Sequence, residues 1–180
     1  MIRCVVFDFD GTLVLSNEIK RDGFFAIAKG FPGGIDAMSV LLKESPGDRF
    51  AIFRNFATLF DADAGALTAR YTVWCEERIA SCPERVGASA VLETLRQRAV
   101  KIYANSATPE EALRAVIKRR YAADLFDGVM GGYGSKVENL KAILATESLN
   151  PGEMMMIGDG TDDRDAAHVN AGMKGSHVEV

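Results

Sequence analysis

The chain contains 180 residues, of which 48% are hydrophobic and 26% are charged, so it is long enough for one domain with a sizeable buried core. Its 25 acidic and 21 basic side chains give a net charge of −4, which argues against nucleic-acid binding through clustered basic charge. No apolar run approaches the roughly 18 residues that span a bilayer, and the first residues do not resemble a signal peptide. Three cysteines without a CxxC pattern are expected to be buried thiols. We therefore expect a cytoplasmic protein that binds neither a nucleic-acid polymer nor a membrane, in an oligomeric state that the sequence leaves open.

One strand and then a series of helices are predicted in the first half of the chain. Residues 2–7 form a short apolar run rich in β-branched residues, which is typical of a buried strand. No further strand pattern occurs before residue 83. Helical patterns, separated by segments that contain glycine, proline or aspartate, occupy residues 16–30, 34–43, 48–60 and 63–80. The sequence therefore predicts a helical insertion after the first strand.

From Pro83 onward, helical and strand patterns alternate. Helices are predicted at 87–98, 108–121 and 135–147, and a last helix ends near 171. Strands are predicted at 100–105, 126–130, 154–157 and 174–180. Thr108 is the predicted N-cap of its helix, with Pro109 in the first helical position and Glu111 completing a capping box, and Ser135 begins a second capping box. This alternation predicts a parallel sheet with helices on both faces.

Polar side chains follow the predicted strands at the edge where parallel α/β sheets bind ligands. The first pair is Asp8 and Asp10, which point the same way in an extended chain because they are two residues apart. Gly11 allows a sharp turn, and Thr12 adds a hydroxyl and a backbone N–H. Asp-Gly-Thr is also an ordinary turn sequence, but two aspartates at the end of an apolar strand are costly without a partner.

A second acidic pair, Asp159 and Asp163, follows a later apolar strand. Together with the first pair it would place up to four carboxylates in one crevice, where two like charges about 4 Å apart repel by roughly 4 kcal/mol. Such a cluster needs a cation or shifted pKa values, and oxygen ligands favour Mg²⁺ over zinc. Asp162 and Asp165 are interpreted as cap or surface charges, because helix starts favour acidic residues.

Two further polar residues suit a phosphate group. Ser106 follows a predicted strand and offers a hydroxyl, and Lys136 offers a cation near a helix start, where exposed N–H groups favour anions. A lysine in the first turn of a helix is mildly unfavourable against the helix dipole, which favours a functional role over a surface role.

These residues resemble a known family. The segments 8–13 (DFDGTL) and 158–163 (GDGTDD), with Ser106 and Lys136 between them, are similar in order to the four motifs of the haloacid dehalogenase-like (HAD) superfamily. The second motif reads Asn105-Ser106-Ala107 here, and Ser106 is taken as its phosphate-binding side chain.

The resemblance extends over the whole chain and implies a fold. Residues 16–82 are similar to the helical cap that subfamily I inserts after the first motif. The implied fold class is α/β, with a Rossmann-like three-layer parallel sheet core formed by residues 1–15 and 83–180. Residues 16–82 would form the inserted all-helical cap domain.

The resemblance also implies a role for each motif residue. Asp8 would be the nucleophile that forms an aspartyl-phosphate, and Asp10 would be the general acid/base that protonates the leaving oxygen and then activates water. Mg²⁺ would be bound by Asp8, the Asp10 carbonyl, Asp159 and, directly or through water, Asp163. The phosphoryl oxygens would be bound by Gly11, Thr12, Ser106, Ala107 and Lys136.

The leading hypothesis is an Mg²⁺-dependent phosphatase that hydrolyses a small phosphorylated metabolite. An acid/base aspartate at Asp10 favours phosphoryl chemistry, because true dehalogenases of the family lack one there. The alternatives are a phosphomutase that uses the same intermediate on a phosphosugar, and a non-enzymatic phospho-accepting or ligand-binding module. In the cap, Arg49 and Arg54 are candidate substrate contacts, and the alternative for each is an ordinary solvated helix charge.

Overall fold

Five parallel strands form one sheet in the computed structural model, which describes residues 1–44, 47–122, 124–132, 135–169 and 174–177. The strands are β1 (Cys4–Phe7), β2 (Lys101–Asn105), β3 (Gly128–Met130), β4 (Met154–Gly158) and β5 (Lys174–His177). Their order across the sheet is β3-β2-β1-β4-β5. The apolar strand β1 lies at the centre, and all 4 of its residues are buried, as expected for a parallel strand covered on both faces.

In chain order, the helices of the described residues all lie between these strands. In chain order they are α1 (Asn17–Ala28), α2 (Gly34–Glu44), α3 (Arg49–Phe60), α4 (Ala64–Ile79), α5 (Ala88–Gln97), α6 (Glu110–Arg120), α7 (Lys136–Thr146) and α8 (Thr161–Val169). Within the described ranges, no helix is both long and apolar enough to cross a membrane.

Helices cover both faces of the sheet. On one face, Cys4 and Val6 of β1 share a buried apolar cluster with Leu140 of α7 and Ala166 of α8. Neighbouring residues along a strand point to opposite faces, and right-handed crossovers place α5 and α6 on the other side. The predicted α/β class with a three-layer parallel core is thus confirmed.

Strand register determines which residues meet at the carboxyl edge of the sheet. Phe7, the last residue of β1, pairs with Ala104 of β2 and with Ile157 of β4. The next backbone N–H, that of Asp8, donates to the Ile157 carbonyl at 2.8 Å. The segments that follow these three strands therefore leave the sheet side by side.

Two helix starts test the predicted caps. The predicted N-cap at Thr108 is wrong, since Pro109 is the N-cap of α6 and makes no side-chain cap hydrogen bond in the part of the chain that the structure describes. The Thr108 hydroxyl donates instead to Asp10, at 3.0 Å. Ser135 is the N-cap of α7, as predicted, and its hydroxyl accepts the Glu138 N–H at 3.2 Å.

Strand β3 is shorter than the sequence predicts. The pattern predicts a strand over 126–130, but pairing begins at Gly128. Immediately before it, the Asp127 carboxylate accepts the Ile102 N–H at 2.9 Å, so a side chain satisfies that backbone donor of β2. At the C-terminal end, α8 ends at Val169 and β5 spans Lys174–His177, while the remainder of the predicted helix and of the strand at 174–180 lies outside the described residues.

Contacts divide the chain into two compact units. One comprises Met1–Ser16 together with Ala80–Val180, and the other comprises Asn17–Ile79. The helical unit has an aromatic core in which the rings of Phe24, Phe53 and Tyr71 lie within 4.5–5.4 Å of one another, centroid to centroid.

The three cysteines are buried free thiols, as predicted: Cys4, Cys75 and Cys82. Burial raises the pKa of Cys4 to about 12, because an apolar surrounding disfavours the thiolate. An inert, protonated thiol is therefore expected in the sheet core.

Candidate functional site

The turn after β1 depends on one glycine. Gly11 has a φ of +78°, a conformation that side-chain-bearing residues rarely adopt. Its N–H donates to the Val14 carbonyl at 2.8 Å, and the Leu13 N–H donates to the Phe9 carbonyl at 3.0 Å. This tight turn buries both Asp8 and Asp10, which are 6% and 8% exposed.

Lys136 connects three carboxylates. Its Nζ lies 2.5 Å from Asp163 Oδ1, 2.9 Å from Asp162 Oδ2 and 3.4 Å from Asp8 Oδ1. The lysine and Asp8 and Asp163 are almost fully buried, whereas Asp162 is exposed. The interpretation of Asp162 as a cap or surface charge is therefore incomplete, because this exposed carboxylate also forms an ion pair with Lys136.

A group of carboxylate oxygens stands at the ends of β1 and β4. One oxygen each from Asp8, Asp159 and Asp163 lies within 4.8 Å of the others. Thr12 donates its hydroxyl to Asp159 Oδ1 at 3.1 Å, and the Gly160 N–H donates to Asp163 Oδ2 at 3.1 Å. The chain thus orients two of the three carboxylates with its own donors.

Asp10 accepts hydrogen bonds from several hydroxyl groups. Ser16 donates to its Oδ1 at 2.7 Å, while Thr108 and Ser106 donate to its Oδ2 at 3.0 and 3.3 Å. Ser106 is 2% exposed, and its Oγ also accepts the Thr108 N–H at 3.1 Å. Asp10 is therefore held separately from the carboxylates around Lys136.

Asn105 and Ser106 serve different purposes. The Asn105 amide donates to the Lys136 carbonyl at 3.2 Å and accepts from Asn139 Nδ2 at 2.9 Å, so it connects β2 to the start of α7. Ser106 contacts Asp10 instead. The next residue, Ala107, is exposed, with its carbonyl next to Gly132.

The carboxylates around Lys136 outnumber the positive charge that this lysine provides. Burial raises the pKa of Asp8 to about 8; Lys136 opposes the rise, and the carboxylates of Asp163 and Asp10 add to it. Burial also raises the pKa of Asp163. Burial disfavours the charge of Lys136, but Asp8 and Asp163 outweigh it and raise the pKa of Lys136 above its usual value. The lysine stays charged, but one ammonium is shared by three carboxylates.

Three residues near the first motif were not identified from the sequence. Ser16 and Thr108 donate to Asp10, and the Arg85 guanidinium donates to the Gly11 carbonyl through Nε at 3.1 Å and through Nη2. Thr108 carried a signal that was assigned to helix capping. Arg85 has no such signal, because a contact across 74 residues leaves no local pattern. Ser16 is only six residues from Asp10, but a hydroxyl near an acidic motif is common in turns.

The two arginines predicted to contact substrate belong to the helical unit. Arg49 is the first residue of α3, and its guanidinium carbon lies 5.3 Å from the centroid of the Tyr71 ring. Arg54 is exposed on the same helix. A role for either in substrate binding stays a prediction.

Comparison with known proteins identifies the family. A model of the haloacid dehalogenase-like hydrolase family matches residues 2–169. Among the curated proteins, no sequence matches this chain.

Similar folds occur among solved structures. A predicted phosphoglycolate phosphatase from Haemophilus somnus has a TM-score of 0.74 at 14% identity, covering 99% of this chain and 89% of its own. A putative β-phosphoglucomutase from Thermotoga maritima has a TM-score of 0.78 at 16% identity, covering 99% and 86%. The putative HAD-hydrolase YfnB from Bacillus subtilis, described as bound to magnesium, has a TM-score of 0.73 at 14% identity, covering 98% and 88%.

At these identities the structural likeness shows the fold alone, whereas the family model spans most of the sequence and includes every motif residue. The chain belongs to the haloacid dehalogenase-like hydrolases and is an enzyme of that family.

Proposed function

We propose that this enzyme is an Mg²⁺-dependent phosphatase that hydrolyses a small phosphorylated metabolite through an aspartyl-phosphate on Asp8. The observation that supports it most is the grouping of Asp8 with Asp159, Asp163 and Lys136, together with a separately held Asp10 two residues away. A buried carboxylate, a cation and a second carboxylate are the groups that a two-step phosphoryl transfer requires.

The acidic group fits a hard divalent cation. Its donors are carboxylate oxygens, which Mg²⁺ prefers, and Lys136 is the single cation that the described contacts place against the carboxylates of Asp8, Asp162 and Asp163. Mg²⁺ would be held by Asp8, Asp159 and Asp163, with the Asp10 carbonyl as a further ligand. When bound, the metal would supply positive charge that lets an anionic nucleophile and an anionic phosphate meet.

In the proposed reaction, Asp8 acts as the nucleophile and Asp10 transfers the protons. A carboxylate oxygen of Asp8 attacks phosphorus, and the bond to the ester oxygen breaks while protonated Asp10 gives that oxygen its proton. Asp10, now a carboxylate, then takes a proton from water as the water oxygen attacks phosphorus. The acyl-phosphate bond breaks, releasing inorganic phosphate and the Asp8 carboxylate. Phosphoryl oxygens would be bound by Gly11, Thr12, Ser106, Ala107 and Lys136.

The test is a panel of phosphorylated metabolites with Mg²⁺, measured as inorganic phosphate released over many turnovers. Asp8→Asn should lower kcat by at least about 10³-fold, because it removes the nucleophile, and Asp10→Asn should slow both steps. Asp165→Asn is the matched control, since Asp165 is exposed on α8 and pairs with Arg164. Wild-type turnover by Asp8→Asn would refute the proposed nucleophile.

The same panel separates the phosphatase from a phosphomutase. A phosphomutase would isomerise a phosphosugar without net release of phosphate, although it would need the same aspartates. Stable phosphorylation at a residue other than Asp8, without turnover, would instead indicate a phospho-accepting module.

A further inference from the structure

The geometry points to Thr108 as the positioning residue that orients Asp10 for proton transfer to the leaving group; this inference rests on the function proposed above. The Thr108 Oγ1 donates to Asp10 Oδ2 at 3.0 Å, across 98 residues of sequence. Its position before a helix suggested a capping role, but Pro109 occupies the N-cap of α6. Among the contacts described, the hydroxyl therefore donates to Asp10 instead of capping the helix.

Thr108 acts on Asp10 both directly and through a neighbour. Its hydroxyl contacts Oδ2, and its N–H donates at 3.1 Å to the Oγ of Ser106, which donates to the same carboxylate oxygen at 3.3 Å. Ser16 holds the opposite oxygen, Oδ1, at 2.7 Å. With both oxygens hydrogen-bonded, the plane of the Asp10 carboxylate is fixed.

A hydroxyl suits this position because Asp10 must work in two protonation states. A threonine hydroxyl donates to an oxygen of a carboxylate and equally to the carbonyl oxygen of a carboxylic acid, so the acid's own proton stays available for the leaving group. Thr108 can therefore hold Asp10 in one orientation before and after the proton has moved. A valine of the same shape can do neither.

The backbone of Thr108 is itself anchored to the end of β3. The Gly132 N–H donates to the Thr108 carbonyl at 2.9 Å, and the Ser106 N–H donates to the Met130 carbonyl at 3.1 Å. A Cβ at Gly132 would lie 2.5 Å from the Ala107 carbonyl oxygen, so the close approach of these segments requires glycine. The loop that carries Thr108 is thus held by two backbone hydrogen bonds and a close contact.

The expected signature is a dependence on the leaving group. An alkoxide needs a proton from Asp10 as it departs, whereas 4-nitrophenolate leaves without one. The value of kcat/KM reports steps up to the first irreversible one, so it isolates formation of the aspartyl-phosphate. Thr108→Val should therefore lower kcat/KM by about 10-fold or more for the best alkyl phosphate of the panel, but by less than about 3-fold for 4-nitrophenyl phosphate.

Three further variants complete the experiment. Thr108→Ser keeps the hydroxyl and should restore most of the rate on the alkyl phosphate, and Thr108→Ala should repeat the selective loss without added bulk. Thr94→Val is the matched control, because Thr94 is exposed and, among the contacts described, its hydroxyl donates only within α5, to the Ala90 carbonyl. Thermal unfolding of each variant establishes that it is folded.

An equal loss on both esters, or a Thr108→Ser variant as slow as Thr108→Val, would overturn the positioning role while leaving the phosphatase proposal intact. If the wild-type enzyme with Mg²⁺ hydrolyses neither ester, the proposed function and this inference both fail.

Discussion

Gly158, the last residue of β4, shows how a single position controls the acidic cluster. A Cβ built there would lie 2.2 Å from Asp163 Cγ, closer than two such atoms can approach. Asp163 in turn is bound by Lys136 at 2.5 Å and by the Gly160 N–H at 3.1 Å. The absence of a side chain at Gly158 therefore allows Asp163 to lie against the end of the strand.

We predict that Gly158→Ala weakens metal binding by displacing Asp163. The half-saturating Mg²⁺ concentration for phosphate release should rise by about 10-fold or more, as when groups that orient metal ligands are disturbed. Gly30→Ala is the control, because the nearest atom to a Cβ there is 3.7 Å away, an ordinary contact. An unchanged Mg²⁺ titration for Gly158→Ala would argue against Asp163 as a ligand.

Individual residues differ in how far the sequence could predict them. Asp8 stands after a predicted strand and Lys136 stands at a predicted helix start. In the structure, Lys136 Nζ lies 3.4 Å from Asp8 Oδ1. Ser16 could not be assigned to Asp10, since a hydroxyl near an acidic motif is common in turns. The sequence around Thr108 predicts an N-cap because N-cap preferences describe local structure. Its hydroxyl instead donates to Asp10, which lies close because β1 and β2 are neighbouring strands.

At the scale of elements, apolar runs and helix periodicity predicted the strands and helices well, because both are local patterns. The order β3-β2-β1-β4-β5 was not predicted, since order depends on where each crossover returns to the sheet. The start of β3 at Gly128, two residues later than predicted, also depends on a neighbouring strand. Asp127 looks like a residue of a strand, but its carboxylate binds the Ile102 N–H of the neighbouring strand.

The Asp127 carboxylate gives β2 and β3 a pH-dependent connection. Burial alone would raise its pKa, but the Ile102 N–H and the Lys101 ammonium, at 2.9 Å each, outweigh burial and lower the pKa. A carboxyl whose pKa is lowered by folding stabilises the native state above its unfolded pKa of about 3.9. That contribution is lost as the pH falls through the lower folded value.

We predict that Asp127→Asn lowers the free energy of unfolding at pH 7 by about 0.5–2 kcal/mol, since the amide keeps one hydrogen bond but loses the charge. The difference from wild type should shrink as the pH falls below about 4. Urea unfolding at neutral and acidic pH measures both. Asp124→Asn, an exposed change three residues earlier, should have little effect; a difference for Asp127→Asn that is constant with pH would contradict the ionic explanation.

At the scale of the whole molecule, the two segments of the sheet unit that flank the insertion Asn17–Ile79 in sequence pair with each other. Val14 and Glu84 form an antiparallel bridge. The Leu15 N–H donates to the Pro83 carbonyl at 2.9 Å, and the Arg85 N–H donates to the Leu13 carbonyl at 3.0 Å. The ends of the sheet unit are therefore close together where the helical unit leaves and returns.

The partners described above for Asp8 and Asp10 belong to the sheet unit. We propose that the sheet unit folds without Asn17–Ile79, so that a Gly/Ser linker of about six residues could replace that insertion, because such a linker spans a short gap flexibly. The shortened chain should unfold cooperatively and should be stabilised by Mg²⁺, because a ligand of the native state adds stability of about 2.7 kcal/mol at 100 times its Kd. Differential scanning calorimetry with and without Mg²⁺ measures both properties. Asp159→Ala in the shortened chain should reduce the Mg²⁺ shift, because it removes a proposed ligand, and a shortened chain that is unfolded at all Mg²⁺ concentrations would show that the insertion is part of one folding unit.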